Sequence, residues 1–424
     1  MTATGTKTAK GVLADARDRS DRLFDLISAD ALYDRPIPER HRLIFYLGHL
    51  DAFDWNLLRP HMRHSETFHP RFDHLFAFGI DPVDGNLPSD TPADWPRETE
   101  IRSYNQEVRR RLDDAGHPGE LLHMALEHRL MHLETLAYMM HQLPPRVKHA
   151  ESQSPLPKPG LARNGAVGIP AGSVTLGRER GSGFGWDNEF EAQQIDVAAF
   201  AIDRYKVTNG DYLQFLEAGG YRDASLWTPA AFRWINEAKI EHPVFWLPAG
   251  SKWSYRTMFD EIPLPLNWPV YVSHAEACAY AEWCGGRLPT EPEWHRAAFG
   301  TANGEEREFP WGDDSPGPQH GYFEFSRWDP APVNAFPRGR SAFGLDGLLA
   351  NGWEWTASPF APLPGFAAHD SYPGYSANFF DGRHYVLKGG SSRTAACMLR
   401  RSFRNWFQPH YQYVYAGFRC VREA

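Results

Sequence analysis

The apolar pattern of this chain changes period part-way along, and that change limits the folds open to it. Up to about Leu143, apolar residues recur at helical spacing in the segments "GVLADARDRSDRLFDLIS", "RHRLIFYLGHLDAFDWNLLRPHM", "EIRSYNQEVRRRLDDA" and "EHRLMHLETLAYMMHQL". Four such segments with short or medium connections predict a four-helix bundle. The stretch "PPRVKHAESQSPLPKPGLARNG" is rich in Pro and polar residues and has no periodicity, so it reads as a linker. From about Ala166, Gly, Pro, Trp and Asn become frequent and apolar runs are short: "SVTLG", "QQIDVAAFAID", "WPVYVS", "HYVLKGG", "AGFRCV". Only "HAEACAYAEWCGG" and "TEPEWHRAAFG" read as helices there. The expected organisation is multidomain: a helical bundle over 1–145, a linker over 146–165, and an irregular α+β domain over 166–424. No internal repeat is present.

A chain of 424 residues is too long for one ordinary core. A net charge of −9 argues against a nucleic-acid partner, because neutralising phosphates needs clustered Lys and Arg. The short basic run Arg109 to Arg111 reads as a solvated helix face. No apolar stretch reaches the roughly 20 residues that span a bilayer, and the N-terminus lacks a signal-peptide core. The expected location is the cytoplasm, with no membrane partner. The four cysteines, Cys278, Cys284, Cys397 and Cys420, form no C-x-x-C pair, so neither a zinc knuckle nor a disulfide framework is indicated, and plain core thiols are expected for two or three of them.

Candidate chemistry lies in the last bundle segment. His128 and His132 are four apart, which on a helix puts both on one face about 6 Å apart along the axis. Glu134 lies about 200° round from His132 and cannot join them. The pattern is not H-E-x-x-H, since Glu127 precedes the first histidine. A third ligand must come from another helix, and His49 inside apolar "FYLGHLDAFDW" offers it. Each of these histidines alone would read as a satisfied core residue; the three together read as a metal site. Three neutral imidazoles with open positions suit Fe(II), Cu or Zn, and ligand type alone does not choose. His123 and His141 fall off the chelating face and are expected at the surface or behind the ligands.

The H-x-x-x-H-x-E stretch with its upstream "GH" helix resembles the DinB-like helical bundle. The pieces "IPAGSVTLG", "DRYKVTNGDYLQFL", "WPVYVSHAEACAYAEWCGGRLPTEPEWHRAA", "PWGD", "NGWEWTASPF", "LKGGSS", "RRSFRNW" and "AGFRCV" resemble the formylglycine-generating-enzyme fold, which is related to C-type lectins. In this order the two domains resemble the non-haem iron sulfoxide synthases of ergothioneine and ovothiol biosynthesis, over almost the full length. That resemblance implies Fe(II) on His49, His128 and His132, and small-molecule substrates: a thiol, a histidine betaine and O2, meeting in a cleft between domains. The implied reaction joins sulfur to the imidazole ring and oxidises it to a sulfoxide. It implies further that Asn405 and Trp406, in "RNW", hold the trimethylammonium group, which aromatic faces and carbonyl oxygens can bind. It implies an acid–base tyrosine as well, for which "SYPGYSANFFDG" offers Tyr372 and Tyr375, with Tyr372 the favoured proton donor. Tyr411, Tyr413 and Tyr415 compete for that role.

Some positions depart from the family pattern. Members that take γ-glutamylcysteine continue "RNW" with Asp and carry an Arg four residues later; here those positions are Phe407 and Tyr411. The Gln that often precedes the second helical histidine and binds the imidazole is Met131 here. A smaller donor, free cysteine, is therefore expected, with its carboxylate met by Arg393, Arg400, Arg401 or Arg404. The first half, with "LIFYLGH" and "HLET", resembles the ovothiol-type 5-histidylcysteine synthases, which continue into a methyltransferase domain, whereas this sequence ends at Ala424. That type, and a selenium-transferring relative, are the alternatives. A formylglycine-generating oxidase would need a copper-binding cysteine pair, where Thr394 and Leu399 stand here with Cys397 alone. A non-catalytic lectin-like binder would need no inward histidine trio.

Overall fold

The computed structural model describes residues 9–63, 66–78, 87–114, 119–151 and 165–423. The chain divides into two compact units, 1–152 and 153–424. Most of the stretch expected as a linker, residues 152–164, lies outside the described residues.

In the first unit the four periodic segments form α1 (Ala9–Phe24), α2 (Leu43–Leu58), α4 (Glu98–Asp113) and α5 (Gly119–His141). A short fifth helix, α3 (Pro70–Phe78), was not expected. Its Pro opens the first turn, where a missing N–H costs nothing. α4 is amphipathic and buries Ile101, Tyr104, Asn105, Val108 and Leu112 along one stripe. α2 differs, because nearly every residue from Leu43 to Leu58 is buried. It is the central helix, with α3, α4 and α5 packed against it, so its polar side chains His49, Asp51 and Asp54 are held inside the bundle.

Buried ion pairs fix the helices to one another. Arg129 of α5, fully buried, donates to Asp51 at 3.1 Å and Asp54 at 2.8 Å, both on α2. Its other arm reaches Ser20 of α1 at 2.9 Å. Arg109 of α4 adds a second guanidinium on Asp51, at 2.8 and 2.9 Å. Arg109 is therefore not part of a solvated face; only Arg110, 61% exposed, fits that expectation well.

The second unit is an α+β fold with four small sheets. Its strands are β1 (Ala166–Ile169), β2 (Gly172–Leu176), β3 (Gln193–Val197), β4 (Phe200–Asp203), β5 (Trp246–Ala249), β6 (Lys252–Arg256), β7 (Glu261–Pro263), β8 (Gly352–Pro359), β9 (Tyr385–Gly390), β10 (Asn405–Phe407), β11 (Ala416–Gly417) and β12 (Val421–Glu423). They pair as β1-β4-β12, β10-β9-β8-β11, β2-β3 and β5-β6-β7. "QQIDVAAFAID" thus splits into strands of two different sheets. "WPVYVS" forms no strand, and its Pro269 makes only an isolated bridge to Thr208. The two expected helices are α8 (His274–Trp283) and α9 (Glu291–Phe299), each with a Ser or Thr cap and a Glu at the third position. α6 (Asn209–Glu217) and α7 (Pro229–Glu237) were not expected as helices.

The "WEW" and "GFRC" motifs meet in the core. Glu354 of β8 accepts from Arg419 at 2.9 Å, Lys206 at 3.0 Å and the Trp294 indole at 2.9 Å, with Glu354 and Arg419 fully buried. A buried carboxylate needs such a full set of donors. In the "GG" of β9, a Cβ at Gly389 would sit 2.6 Å from the Leu348 carbonyl, and its φ of +97° also demands glycine. Among the described residues no helix is long and apolar enough to cross a membrane.

Candidate active site

His49, His128 and His132 converge. Their nearest ring nitrogens all lie within 4.8 Å of one another, and no other group of three His, Cys, Asp or Glu side chains among the described residues is so placed. The ring centroids are 5.2 Å apart for His49 and His128, 5.0 Å for His49 and His132, and 4.5 Å for His128 and His132. Glu134 is buried but stands outside the group, as the helical spacing requires. His123 is exposed, whereas His141 is buried and not at the surface.

Local sequence explains the position of His49. The Phe76 ring packs so close to α2 that a Cβ at residue 48 would lie 2.5 Å from it. Gly48 makes room for that approach. The Phe76 carbonyl then receives His49 Nδ1 at 2.6 Å. That carbonyl lies in the last turn of α3, where backbone acceptors have no partner inside the helix. With Nδ1–H committed, Nε2 carries the lone pair. Neighbouring aromatic rings restrain the trio. Phe53 stacks on His128 with centroids 3.4 Å apart, and Phe45 stacks on His49 at 4.8 Å.

The electrostatics suit a metal. Burial pushes the His49 imidazole down to about 4, against the opposing pull of the Phe76 carbonyl. Burial, and then the neighbouring histidines, lower His128 and His132 well below their ordinary value. All three are neutral at physiological pH, the form in which imidazole binds a metal. His132 Nδ1 is buried and makes no hydrogen bond. A cluster of desolvated neutral imidazoles with converging nitrogens fits a metal ion that prefers nitrogen donors. Met131 is half-buried, one residue before His132 on α5.

The second unit brings the other predicted residues into an aromatic cluster. On β10, Trp406 lies flat on Phe360 with centroids 4.1 Å apart. Tyr375 meets Trp406 edge-on at 5.4 Å, and Phe379 approaches at 5.6 Å. Tyr375 is itself buried and stacked on Trp186 at 3.9 Å. Tyr372, 5.7 Å from Tyr375, keeps partial exposure. Burial and the Asp187 carboxylate raise the Tyr372 phenol above its ordinary value, so it keeps its proton at neutral pH. Asn405 is half-buried, and its side-chain oxygen accepts from the Trp406 N–H at 2.9 Å. Phe407 and Tyr411 stack on each other at 5.0 Å and 8°.

The four arginines named for a carboxylate are not equivalent. Arg404 forks onto Glu291 at 3.0 and 3.1 Å, and Arg400 is committed to Glu189 at 2.8 Å. Arg401 lies 3.7 Å from Glu306 and is 31% exposed. Arg393 is buried against the Tyr415 ring at 3.8 Å, and its guanidinium nitrogens make no hydrogen bond. Arg400 and Arg404 are thus each held by a carboxylate of the chain itself. Thr394 and Leu399 are both buried; Thr394 caps the turn at Ser391, and Leu399 joins the core. Sequence reasoning missed Gly48 with Phe76, the Phe53 ring and Asp187. The "GH" dipeptide was the one available signal, since glycine inside a helix implies a close neighbour.

Residues 152–424 match the family model described as a sulfatase-modifying factor enzyme 1-like domain. The whole chain is 34% identical to the hercynine oxygenase of Mycolicibacterium smegmatis, with 98% of each chain covered. It is 35% identical to the hercynine oxygenase of Mycolicibacterium thermoresistibile, covering 96% of this chain and 93% of that one. The chain belongs to the hercynine oxygenase family. Its second unit carries the formylglycine-generating-enzyme fold and is 32% identical to that enzyme from Thermomonospora curvata, over 48% of this chain and 74% of that one. The full-length match to hercynine oxygenases makes this chain an enzyme of the ergothioneine-pathway type.

Proposed function

We propose that this chain uses Fe(II) and O2 to join the sulfur of cysteine to the imidazole of hercynine, giving a sulfoxide. The atoms balance: a ring C–H, a thiol and O2 become a C–S(=O) linkage and water. The observation that carries the proposal is the converging, neutral trio of buried His49 and His128 and half-buried His132 in a chain of this family. When bound there, iron supplies the redox chemistry that couples O2 to sulfur and carbon oxidation. The protein's own part is to keep the three imidazoles neutral, to fix the tautomer of His49 through Phe76, and to keep the rings from turning.

Trp406 and Asn405 would receive the quaternary ammonium of hercynine, which offers no hydrogen to donate and is held by ring faces and carbonyl oxygens. The Tyr372 phenol, kept protonated by burial and Asp187, would donate the proton that the oxygen chemistry consumes. The stacked pair Phe407 and Tyr411 supports a small thiol. A glutamyl arm brings a carboxylate and an amine that these rings cannot pair, and leaving one unpaired costs about 1–3 kcal/mol. With Met131 beside His132, the imidazole of the substrate has no amide to meet at that position.

The test is turnover of iron-loaded protein with hercynine and O2, offered cysteine and γ-glutamylcysteine at equal concentration. The proposal predicts preferential use of cysteine. Preferential use of γ-glutamylcysteine removes the donor assignment. Turnover with histidine in place of hercynine, and none with hercynine, removes the acceptor assignment.

A further inference from the structure

Plain core thiols were expected for two or three of the four cysteines, and the fold brings two of the four, Cys284 and Cys420, face to face. Cys284 follows the last residue of α8, and Cys420 lies between β11 and β12. They are 136 positions apart in sequence, and their sulfurs are 3.6 Å apart. The two differ in setting: Cys284 is half-buried, and Cys420 is fully buried. Arg422, which pairs with Asp203 at 3.0 Å, also places a guanidinium nitrogen 3.8 Å from Cys284 Sγ. One reachable sulfur beside a cation, backed by one buried sulfur at contact distance, has the layout of an attacking and a resolving thiol.

We propose that Cys284 and Cys420 form a reversible disulfide by exchange with small-molecule disulfides, Cys284 reacting first and Cys420 resolving. The hydrogen bond shared with Cys420, and then Arg422, lower the Cys284 thiol against the opposing effect of burial, while the same bond and burial raise Cys420. In the first step the Cys284 thiolate attacks one sulfur of the external disulfide and expels the other as a thiolate. In the second, Cys420 gives up its proton to solvent and attacks Cys284 Sγ, releasing the remaining external thiolate. The two cysteines lose two electrons together, and the external disulfide is reduced to two thiols. The remaining cysteines are differently placed. Burial pushes the Cys278 thiol up to about 12, beside His274, and Cys397 is exposed. The new bond would tie the end of α8 to the C-terminal strand and close a long span of chain, which limits the unfolded state.

The experiment incubates the full chain with glutathione disulfide, blocks remaining thiols with N-ethylmaleimide, and maps peptides by mass spectrometry. Wild type should give a peptide pair joined through Cys284 and Cys420, reversed by reduced glutathione, with a raised Tm in the oxidised form. Cys420→Ala should stop at a glutathione adduct on Cys284. Cys284→Ser should leave Cys420 unmodified in the folded protein. Because Cys284 is half-buried at a helix end, that variant tolerates substitution even if Cys420→Ala folds poorly. Arg422→Gln should slow the first step several-fold. A wild-type protein that halts at the Cys284 adduct, or that shows oxidation only at Cys278 or Cys397, overturns the proposal.

Discussion

Replacing Gly48 with Ala tests how the bundle positions its metal ligands, because it adds a single methyl group. That methyl would lie 2.5–2.6 Å from three atoms of the Phe76 ring, including the ring carbon nearest the backbone. The whole ring must therefore move, and the backbone of α3 moves with it. Overpacking of this kind costs about 1–3 kcal/mol. Ala in place of Gly within a helix returns about 0.8–1 kcal/mol. The net loss of stability is then roughly 0–2 kcal/mol, a small part of the ~5–15 kcal/mol that holds a domain folded. The effect on the site should be larger. Moving Phe76 draws its carbonyl from His49 Nδ1, now 2.6 Å away, and frees both the tautomer and the ring angle. Loss of such a supporting hydrogen bond lowers metal affinity about 10–100-fold. The assay is anaerobic Fe(II) titration alongside thermal unfolding of the same samples. Gly48→Ala should keep its Tm within a few degrees and bind iron at least tenfold more weakly. Adding Phe76→Leu, which makes room for the methyl, should restore part of the affinity. Wild-type iron affinity in Gly48→Ala would refute the reasoning.

Other outcomes follow from the same contacts. Arg129→Met leaves Asp51 with Arg109 and Asp54 with Arg17 at 3.6 Å, so the cost should sit at the low end of breaking a buried pair. That is about 3 kcal/mol, or roughly 6–12 °C in Tm by scanning calorimetry. Burial raises the Asp51 carboxyl, but Arg129 and Arg109 outweigh it and hold it at about 2, below the ordinary 3.8. Its contact stabilises above 3.8 and is lost as pH falls toward 2, so Arg129→Met should begin acid unfolding at higher pH than wild type. Tyr372→Phe should keep iron and substrate binding while slowing sulfoxide formation by about 10²-fold or diverting the product; an unchanged rate and product ratio would move the role to Tyr375 or elsewhere. Trp406→Ala should raise the hercynine KM by roughly 3–30-fold, the range of a cation–π contact, with a smaller change in the thiol KM.

Long periodic helices were legible because their pattern repeats over several turns. α2 lies within the segment marked by apolar spacing, whereas α1, α4 and α5 each begin before theirs, α5 at Gly119 rather than Glu127. α3, α6 and α7, each of 9 residues, have too few turns to show a clear period; α9 is as short, but Thr290 and Glu293 mark its start. The caps of α6 and α7 were readable in principle: Thr208 with Asp211, and Thr228 before Pro229. "WPVYVS" misled in the opposite direction, because β-branched and aromatic residues suit any buried extended chain, paired or not. In the site, the spacing of His128 and His132 fixes their shared face from sequence alone. His49 was singled out among 19 histidines by its place inside an otherwise apolar helix, and the family resemblance implied the same ligand. The supporting parts were invisible because they are made by tertiary contact: a backbone carbonyl from α3, a ring from Phe53, a carboxylate from Asp187. The arginines show the same limit. Four near-identical positions in one motif separate only when their carboxylate partners, far away in sequence, are in place.

Iron stoichiometry in the histidine variants tests the central claim most directly. Protein loaded anaerobically with Fe(II), desalted and assayed for metal should hold one iron per chain in the wild type. His49→Ala, His128→Ala and His132→Ala should each hold little, while circular dichroism shows that the helices persist. His49 is the decisive position, because it comes from a different helix and was joined to the other two by the fold. A folded His49→Ala protein that keeps a full equivalent of iron and full turnover would contradict the account.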